Sequence, residues 1–477
     1  NMLLLLWLAV LVAALYLLFK QAYSRYKNTD VKCSTIVPLF GTIAWILMKK
    51  EHVADFFQRL DIELVKRIAV KEFDSFVDHK FLADGTVDPI FGRNLVTLKG
   101  QEWKDMRAAL SPAFTGSKIK LMIPMMVDVG NELVQVNLMV QFTDNFIDLE
   151  GKDLTTRYAS DVIASCVFGL KVRFSIEKDN VFFKMAKEVT NLKLSMLLKI
   201  FLFVSLPRLT KLLNIQFLPK ATSQFFKDIV LNTMRDREEN NIVRPDMIHL
   251  LMEAKKAFKS KKRQISDWSN DDLVAQAGVF LLGGFDVVST AMSFAMHELA
   301  LNPDVQEKLA AEIRENEIKN NGKFDYNSIQ QMVYMDMVVS EVLRMWPPSV
   351  TLDRRLFLEF QNILFQIRKG ECLMIPVWAI HRDPKYFPNP TKFDPERFSE
   401  ENKHKIIPFS YIPFGMGPRN CVGSRFALCE VKVLLYQLLQ HFQLSLCEKT
   451  CIPVQIDTQS LNFKIKGGHW IRLRIRE

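Results

Sequence analysis

The stretch Phe414-Gly415-Met416-Gly417-Pro418-Arg419-Asn420-Cys421-Val422-Gly423 constrains this chain more than any other, because it sets five positions, one of them a cysteine, in the pattern F-x-x-G-x-R-x-C-x-G. With each residue type at roughly one in twenty, on the order of one random chain of this length in 10⁴ would carry it. Phe414 opens the pattern and Gly423 closes it. The positions make sense together if Cys421 is a thiolate bound to the iron of a flat macrocycle. Gly415 and Gly417 let the backbone come close to such a ring and take dihedrals closed to other residues. Arg419 offers a planar fork of donors suited to a propionate. Apolar residues recur at helical spacing from Phe426 onward, so Cys421 precedes a helix N-terminus, which favours its anionic form. No partner cysteine stands at C-x₂₋₄-C spacing, which argues against a zinc or iron–sulfur site. The plainer alternative is a buried free cysteine beside a glycine turn. The pattern predicts haem, with Cys421 as the metal ligand.

A flat macrocycle needs a large apolar interior, and the chain can supply one. It has 477 residues, is 49% hydrophobic, and shows no Gly/Ser-rich or Pro-rich linker after residue 40. One domain over residues 42–477 fits better than the two or three that length alone suggests. Of the seven cysteines only Cys447 and Cys451 stand close together, as C-x₃-C, and one such pair makes no disulfide framework, as expected in a reducing compartment. Met2 to Phe19 is an uncharged apolar run long enough to span a bilayer, with Trp7 and Tyr16 as interfacial residues. Lys20, Arg25 and Lys27 follow it, which predicts a retained anchor over 2–19 with its C-terminal side in the cytoplasm. A cleaved signal peptide would carry its basic flank at the other end and a small-x-small site. Residues 20–41 read as a basic linker ending in the hinge Val37-Pro38-Leu39-Phe40-Gly41. The net charge of +10 is dispersed apart from Lys255 to Arg263, which reads as a solvated loop before a helix. Without an interleaved aromatic motif it argues against nucleic acid. A diffuse basic face suits an anionic membrane or an acidic redox partner.

Helical periodicity covers Gln101–Leu110, Leu154–Phe168, Phe225–Asn240, Asp272–Leu299, Val305–Glu315, Ser328–Met345 and Phe426–Phe442. Strand signals are few: Leu373–Val377, and Phe463–Ile465 paired with Ile471–Ile475 around Gly467-Gly468. The class is mainly α with minor β. Leu192 to Leu218 is apolar but broken by Lys199, Pro207 and Lys211. It reads equally as a core helix pair or as a surface element dipping into a bilayer.

Four further patterns carry chemistry. Glu341 and Arg344 stand three apart in a helix, on one face where they can pair; alone, such a pair is usually a weak surface salt bridge. Trp346-Pro347-Pro348 then stops that helix, and Pro395-Glu396-Arg397-Phe398 adds a second arginine. Trp103 and Arg107 place two donors one turn apart, where both could reach a carboxylate. Ser269-Asn270-Asp271-Asp272 resembles a capping box opening a long helix, in whose middle lie Gly283, Gly284, Phe285, Asp286, Val287, Val288, Ser289 and Thr290. Two glycines there cost about 1 kcal/mol each relative to alanine. They suit either a helix that bends around a ligand or a close helix crossing. Asp286, among apolar neighbours, needs a partner or water.

Taken together, these motifs resemble the cytochrome P450 family of haem-thiolate monooxygenases over nearly the whole chain. The similarity is greatest to insect microsomal members, in Gly100-Gln101-Glu102-Trp103-Lys104-Asp105-Met106-Arg107, Leu110-Ser111-Pro112-Ala113-Phe114, Arg244-Pro245-Asp246-Met247 and His381-Arg382-Asp383-Pro384. The resemblance implies a helix-rich haem domain with a small β region. It implies haem b with Cys421 as axial thiolate, propionates contacted by Trp103, Arg107, Arg354 and Arg419, and a buried lock of Glu341, Arg344 and Arg397 supporting the cysteine loop. Gly283, Gly284 and Asp286 would line the oxygen groove, with Thr290 as a polar helper. Phe91, Phe285, Val287, Val350, Thr351 and Leu352 are expected around a lipophilic substrate. Electrons would come from NADPH through cytochrome P450 reductase, with cytochrome b5 as a second donor, at the endoplasmic reticulum membrane facing the cytoplasm. Oxidation of xenobiotics or endogenous lipids is the expected activity.

Three departures from the family pattern stand out. Val287 occupies the position where a threonine is usual, so it cannot hydrogen-bond oxygen or a relay water. Ser289 lies roughly 200° around the helix, while Thr290 is almost one turn on. Weakened coupling between electron supply and product follows. Asp61-Ile62-Glu63-Leu64-Val65-Lys66 follows Phe56-Phe57-Gln58-Arg59-Leu60 directly, where the family has a β-hairpin between two helices. The hinge also lacks the usual run of prolines. These leave two other readings open: an O₂-independent isomerase or dehydratase of lipid hydroperoxides, and an inactive shortened variant.

Overall fold

In the computed structural model the residues described are 62–79, 91–142, 145–170, 180–190, 207–213, 218–260, 268–356, 372–457 and 463–476, with a few single positions between them. The expected anchor, the linker and hinge, and the junction where a hairpin was expected all lie outside them.

The helices that frame the site are α1 (Ile62–Lys66), α2 (Gly100–Leu110), α3 (Gly116–Glu132), α4 (Gly151–Cys166), α5 (Val181–Thr190), α6 (Lys220–Glu239) and α7 (Met247–Ser260). After these come α8 (Asn270–Leu282), a π-helical turn Gly283–Val287, and α9 (Val288–Leu301). The set closes with α10 (Pro303–Lys319), α11 (Val333–Met345), α12 (Val377–His381) and α13 (Ser424–His441). The seven described strands are short: β1 (Phe146–Glu150), β2 (Leu352–Arg355), β3 (Phe360–Gln361), β4 (Gln366–Ile367), β5 (Cys372–Ile375), β6 (Phe442–Ser445) and β7 (Trp470–Ile475). The molecule is mainly helical with a small β component, as the periodicity implied.

The α8–α9 rod is the axis of the fold. It starts at a capping box: the Ser269 hydroxyl accepts from the Asp272 amide at 3.2 Å, and Asp272 accepts from the Ser269 amide at 2.8 Å. This satisfies two of the donors that every helix start leaves free. Residues 270–301 are long and apolar enough to cross a membrane, yet they form the centre of the protein, with Val288 through Ala300 all buried. Helices α4, α11 and α13 and strands β6 and β7 pack around α9. Met292, Phe294, Ala295, Met296 and Leu299 meet Val338, Val339, Leu434 and Leu438 in the main apolar core.

Several expectations are corrected. Residues 463–465 do not pair with 471–475: Ile465 bridges Ile456, and β7 is the middle strand of an antiparallel sheet in the order β1–β7–β6. Gly467 and Gly468, at φ +83° and +104°, turn the chain so that the His469 ring caps the Ile465 amide instead of extending a hairpin. The expected helix 328–345 is broken at Met332, which is extended (φ −82°, ψ 92°). The Glu312 carboxylate from α10 then accepts the freed amides of Tyr334 and Met335 at 2.7 and 2.8 Å. Lys255 lies within α7 and not in a loop. The predicted strand 373–377 ends at Ile375, because Pro376 starts α12. Most of the stretch 192–218 lies outside the described residues; within it, Leu209, Leu212 and Leu213 are exposed.

Candidate active site

The cysteine loop is built as its glycines imply. Gly415 and Gly417 have φ +72° and +69°, the left-handed region that favours glycine. A Cβ on Gly417 would fall 1.9 Å from the Ala69 carbonyl oxygen, so the loop lies flat on the segment after α1. The Gly415 amide donates to Ile412 O at 3.0 Å, Asn420 to Gly417 O at 3.0 Å, and Cys421 to Phe414 O at 2.9 Å. These bonds deliver Cys421 two residues before Gly423, which caps α13. Cys421 is exposed as a residue, while protein crowds around its thiol. Burial there raises its pKa, while the Gly423 amide and the Arg107 guanidinium pull it down.

Arg107 grips the residue before the cysteine, donating to Asn420 O at 2.7 Å and Asn420 Oδ1 at 2.8 Å. Arg419 lies over the Trp103 ring at 4.1 Å. Its donors reach Val77 O at 2.8 Å, Leu95 O at 3.2 Å and Leu98 O at 2.8 Å, with Asp78 at 3.5 Å. It therefore ties the cysteine loop to residues 77–98. Arg354, on β2, is 1% exposed; its Nη1 donates to Asp353 O, and its Nε has no hydrogen-bond partner among the described residues. Burial, with Arg354 nearby, pushes Arg419 down to about 9 despite Asp78. Burial also lowers Arg354.

Below the loop, Glu341 and Arg344 are fully buried. Arg344 Nε and Nη2 donate to the Glu341 carboxylate at 2.6 and 2.8 Å, in a fork-to-fork pairing. Glu341 Oε1 also accepts the Asp394 amide at 2.9 Å and Arg397 Nε at 3.3 Å. Arg397 completes its own contacts on Asn389 O. One residue not singled out from the sequence joins this cluster to the loop. The His381 ring accepts the Ile412 amide on Nε2 at 2.9 Å and stands 3.2 Å from Arg344 O through Nδ1. Because Nε2 accepts, Nδ1 carries the proton and donates to that carbonyl. Arg344 Nη1 returns a bond to His381 O at 2.9 Å. Burial, then Arg344, pushes His381 down to about 3, so it is a neutral strut. Its only mark in the sequence is the His-Arg-Asp-Pro run.

On the distal side, Gly283 and Val287 are exposed in the middle of a largely covered rod, one turn apart, and Val287 is 44% accessible. A Cβ on Gly283 would have nothing within 4 Å, whereas a Cβ on Gly284 would meet Ile163 Cδ1 at 2.2 Å. Gly284 thus belongs to the crossing with α4, and Gly283 faces the open space. Phe285 is 1% exposed and packs on Phe183 at 6.2 Å, in the core and not on that space. The Thr290 hydroxyl is buried, donating to Asp286 O at 2.8 Å and accepting from Lys152 at 2.7 Å. Leu352 lies 3.5 Å from where a Gly415 Cβ would stand; Val350 packs partly on the core, and Thr351 O accepts from Ser349. The Phe91 side chain lies outside the described residues.

The residues fit an iron macrocycle on three grounds. A cysteine is held exposed at the end of a hydrogen-bonded glycine loop. Among the described residues, the two buried guanidiniums of Arg354 and Arg419 have one carboxylate, Asp78, within ion-pair distance of either, and Arg354 Nε is an orphaned donor, an arrangement suited to an anionic edge. The central helix leaves Gly283 and Val287 uncovered beside turns that are packed.

Comparisons with known proteins agree. A family model described as Cytochrome P450 matches residues 25–472. The chain is 39% identical over 520 aligned positions to cytochrome P450 9e2 of Blattella germanica, covering 98% of this chain and 97% of that protein. It is 38% identical over 505 positions to the probable cytochrome P450 9f2 of Drosophila melanogaster, covering 98% of each. An alignment of 520 positions exceeds the 477 residues present here, so the cockroach protein carries segments with no counterpart in this chain.

Proposed function

From the fact that the chain belongs to the cytochrome P450 family, and is thus a monooxygenase of the haem-thiolate type, we propose that Cys421 is its axial ligand and that it oxidises lipophilic small molecules with NADPH-derived electrons. The observation that carries this reading is the exposed Cys421 beside the charge-rich, partly unpaired arginine cluster. Haem bound there supplies the iron at which O₂ is activated. Arg354, through its free Nε, is the propionate donor in this reading, with Arg107 and Trp103 beside it; Arg419 contributes its charge while its donors stay on the backbone. Glu341, Arg344, Arg397 and His381 hold the loop rigid, so that Cys421 does not have to be ordered when the ring binds.

In this reading Val287, Val350, Thr351 and Leu352 line the substrate side, and Asp286 supplies the polar group of the distal helix. The electron donors are NADPH–cytochrome P450 reductase and cytochrome b5, reached from the cytoplasmic face of the endoplasmic reticulum membrane through the segment 2–19. The decisive measurement is the difference spectrum of the reduced carbon monoxide complex. A red-shifted Soret band in the full-length protein, lost in Cys421→Ser, supports thiolate ligation; its absence from the unaltered protein refutes the reading.

One observation favours a second activity. Val287 has no hydroxyl, and the Thr290 hydroxyl is spent on Asp286 O and Lys152. A site short of distal proton donors suits rearrangement of lipid hydroperoxides, which needs neither O₂ nor a reductase. Turnover of a lipid hydroperoxide without NADPH separates the two.

A further inference from the structure

The second residue of α4, Lys152, is a cation in an expensive position. It is 9% exposed, and it sits in the first turn of a helix, where the backbone dipole already presents positive charge. A buried ammonium persists only when its donors are matched. Among the described residues every hydrogen-bond and ion-pair partner comes from one short stretch of the central helix. Nζ lies 3.0 Å from Asp286 O, 2.7 Å from Ser289 Oγ, 2.7 Å from Thr290 Oγ1 and 3.2 Å from Asp286 Oδ1. Asp286 O is the carbonyl of the π-helical turn, and it also accepts from Ser289 Oγ at 3.1 Å and Thr290 Oγ1 at 2.8 Å. One turn further along α4, Thr155 donates to Ser289 O at 2.9 Å. The grip is therefore two-pronged, with one charged prong and one neutral.

The two faces of the π turn now differ in kind. Lys152 contacts Asp286, Ser289 and Thr290, while Gly283 and Val287 remain open. A π turn inserts one residue into the helical repeat and leaves its carbonyls without ordinary partners. The side chains of α4 supply those partners.

Building on the monooxygenase reading, we propose that Lys152 is a positioning residue: its ammonium pins the π turn 283–287 in register and holds the Asp286 carboxylate and Thr290 hydroxyl toward α4, leaving Gly283 and Val287 as the open face. The group that orients the distal carboxylate thus sits on a neighbouring helix, more than a hundred residues earlier in the chain.

The test uses full-length, haem-loaded protein and two readouts. In Lys152→Met, hydrogen–deuterium exchange of the amides in 283–290 is expected to accelerate about tenfold, the effect of losing one hydrogen-bonded buried charge. Free hydrogen peroxide per NADPH consumed should rise alongside it. Lys152→Arg keeps the cation and should restore most of the protection and coupling. Exchange in Lys152→Met within about twofold of the unaltered protein overturns the proposal, as does equal loss of coupling in Lys152→Arg and Lys152→Met. If Lys152→Met does not fold, Asp286→Asn breaks the ion pair and leaves the other bonds. Faster exchange of 283–290 then supports the proposal and unchanged exchange refutes it. Exchange is read without turnover, so an unaltered protein that forms no product sinks the monooxygenase reading and leaves the pinning of the helix tested on its own.

Discussion

His381 makes a prediction whose size follows from its surroundings. An unfolded chain holds a histidine near its ordinary value of about 6.5, while in the folded protein burial and Arg344 push it down to about 3. Because the folded value is the lower one, the unfolded state binds the proton first. The stabilisation is complete above about pH 6.5, declines as pH falls, and is exhausted only near the folded value. Within that window each pH unit is worth about 1.4 kcal/mol, so pH 5 should remove about 2 kcal/mol. That figure holds for any folded value well below 5. His297, pushed down to about 4 by burial, and His469, also lowered, titrate over part of the same range, as do carboxylates. The comparison is therefore between the unaltered protein and His381→Gln. The glutamine costs about 1–3 kcal/mol at pH 7, where one bond of the strut is lost. Its stability should then fall by about 2 kcal/mol less between pH 7 and pH 5. Urea unfolding of the full-length protein at the two pH values, followed by tryptophan fluorescence, measures the difference. Equal losses in both proteins would show that burial does not hold His381 neutral in the folded protein, and the account of the strut would fail.

The other predictions test separate parts of the site. Val287→Thr, on the open face of the π turn, should raise product per NADPH and lower free peroxide; an unchanged ratio refutes the assignment of Val287 to the missing hydroxyl. Arg354→Gln removes a buried cation whose Nε is unpaired. Haem retention, measured by transfer to apomyoglobin, should weaken by about tenfold or more if that donor meets a propionate, and equal retention argues against it. Gly417→Ala forces a side chain into a left-handed residue and onto the Ala69 carbonyl. It should destabilise the loop by at least about 2 kcal/mol in thermal unfolding, and a neutral effect would mean that the loop does not lie on the segment after α1.

The legible parts of the sequence were those where one residue answers to one local demand. Ser269 and Asp272 announced a helix start, and the loop glycines announced positive φ. Glu341 and Arg344 announced a pair, but only burial turned that pair from a surface contact of little value into the centre of a buried hydrogen-bonded cluster. What stayed hidden was pairing across long distances. Lys152 carries no local pattern and acquires its meaning from residues on another helix. Arg419 matched a propionate donor by position, yet its donors went to carbonyls of residues 77–98. Phe285 sat beside functional neighbours but on the face turned to Phe183, since helical rotation, not adjacency, decides what a residue meets. The strand 471–475 was visible by its alternation, while its partners β1 and β6 were not, because nothing within a strand says which distant edge it will join.

That central strand has a consequence for the making of the protein. Glu150, the N-cap of α4, receives the backbone amide of His469 across 319 residues of chain, and the Gly151 amide donates to His469 O. While the ribosome is producing the distal helix and the cysteine loop, β1 has no strand neighbour and Glu150 lacks the His469 amide. The haem pocket is thus complete in composition before it is complete in shape. Its final closure waits for a strand translated after every residue that would touch the ring, so a nascent chain presents an open edge at β1 for most of its synthesis, and a truncation just before β7 removes no ligand but unseats the helix that carries Lys152.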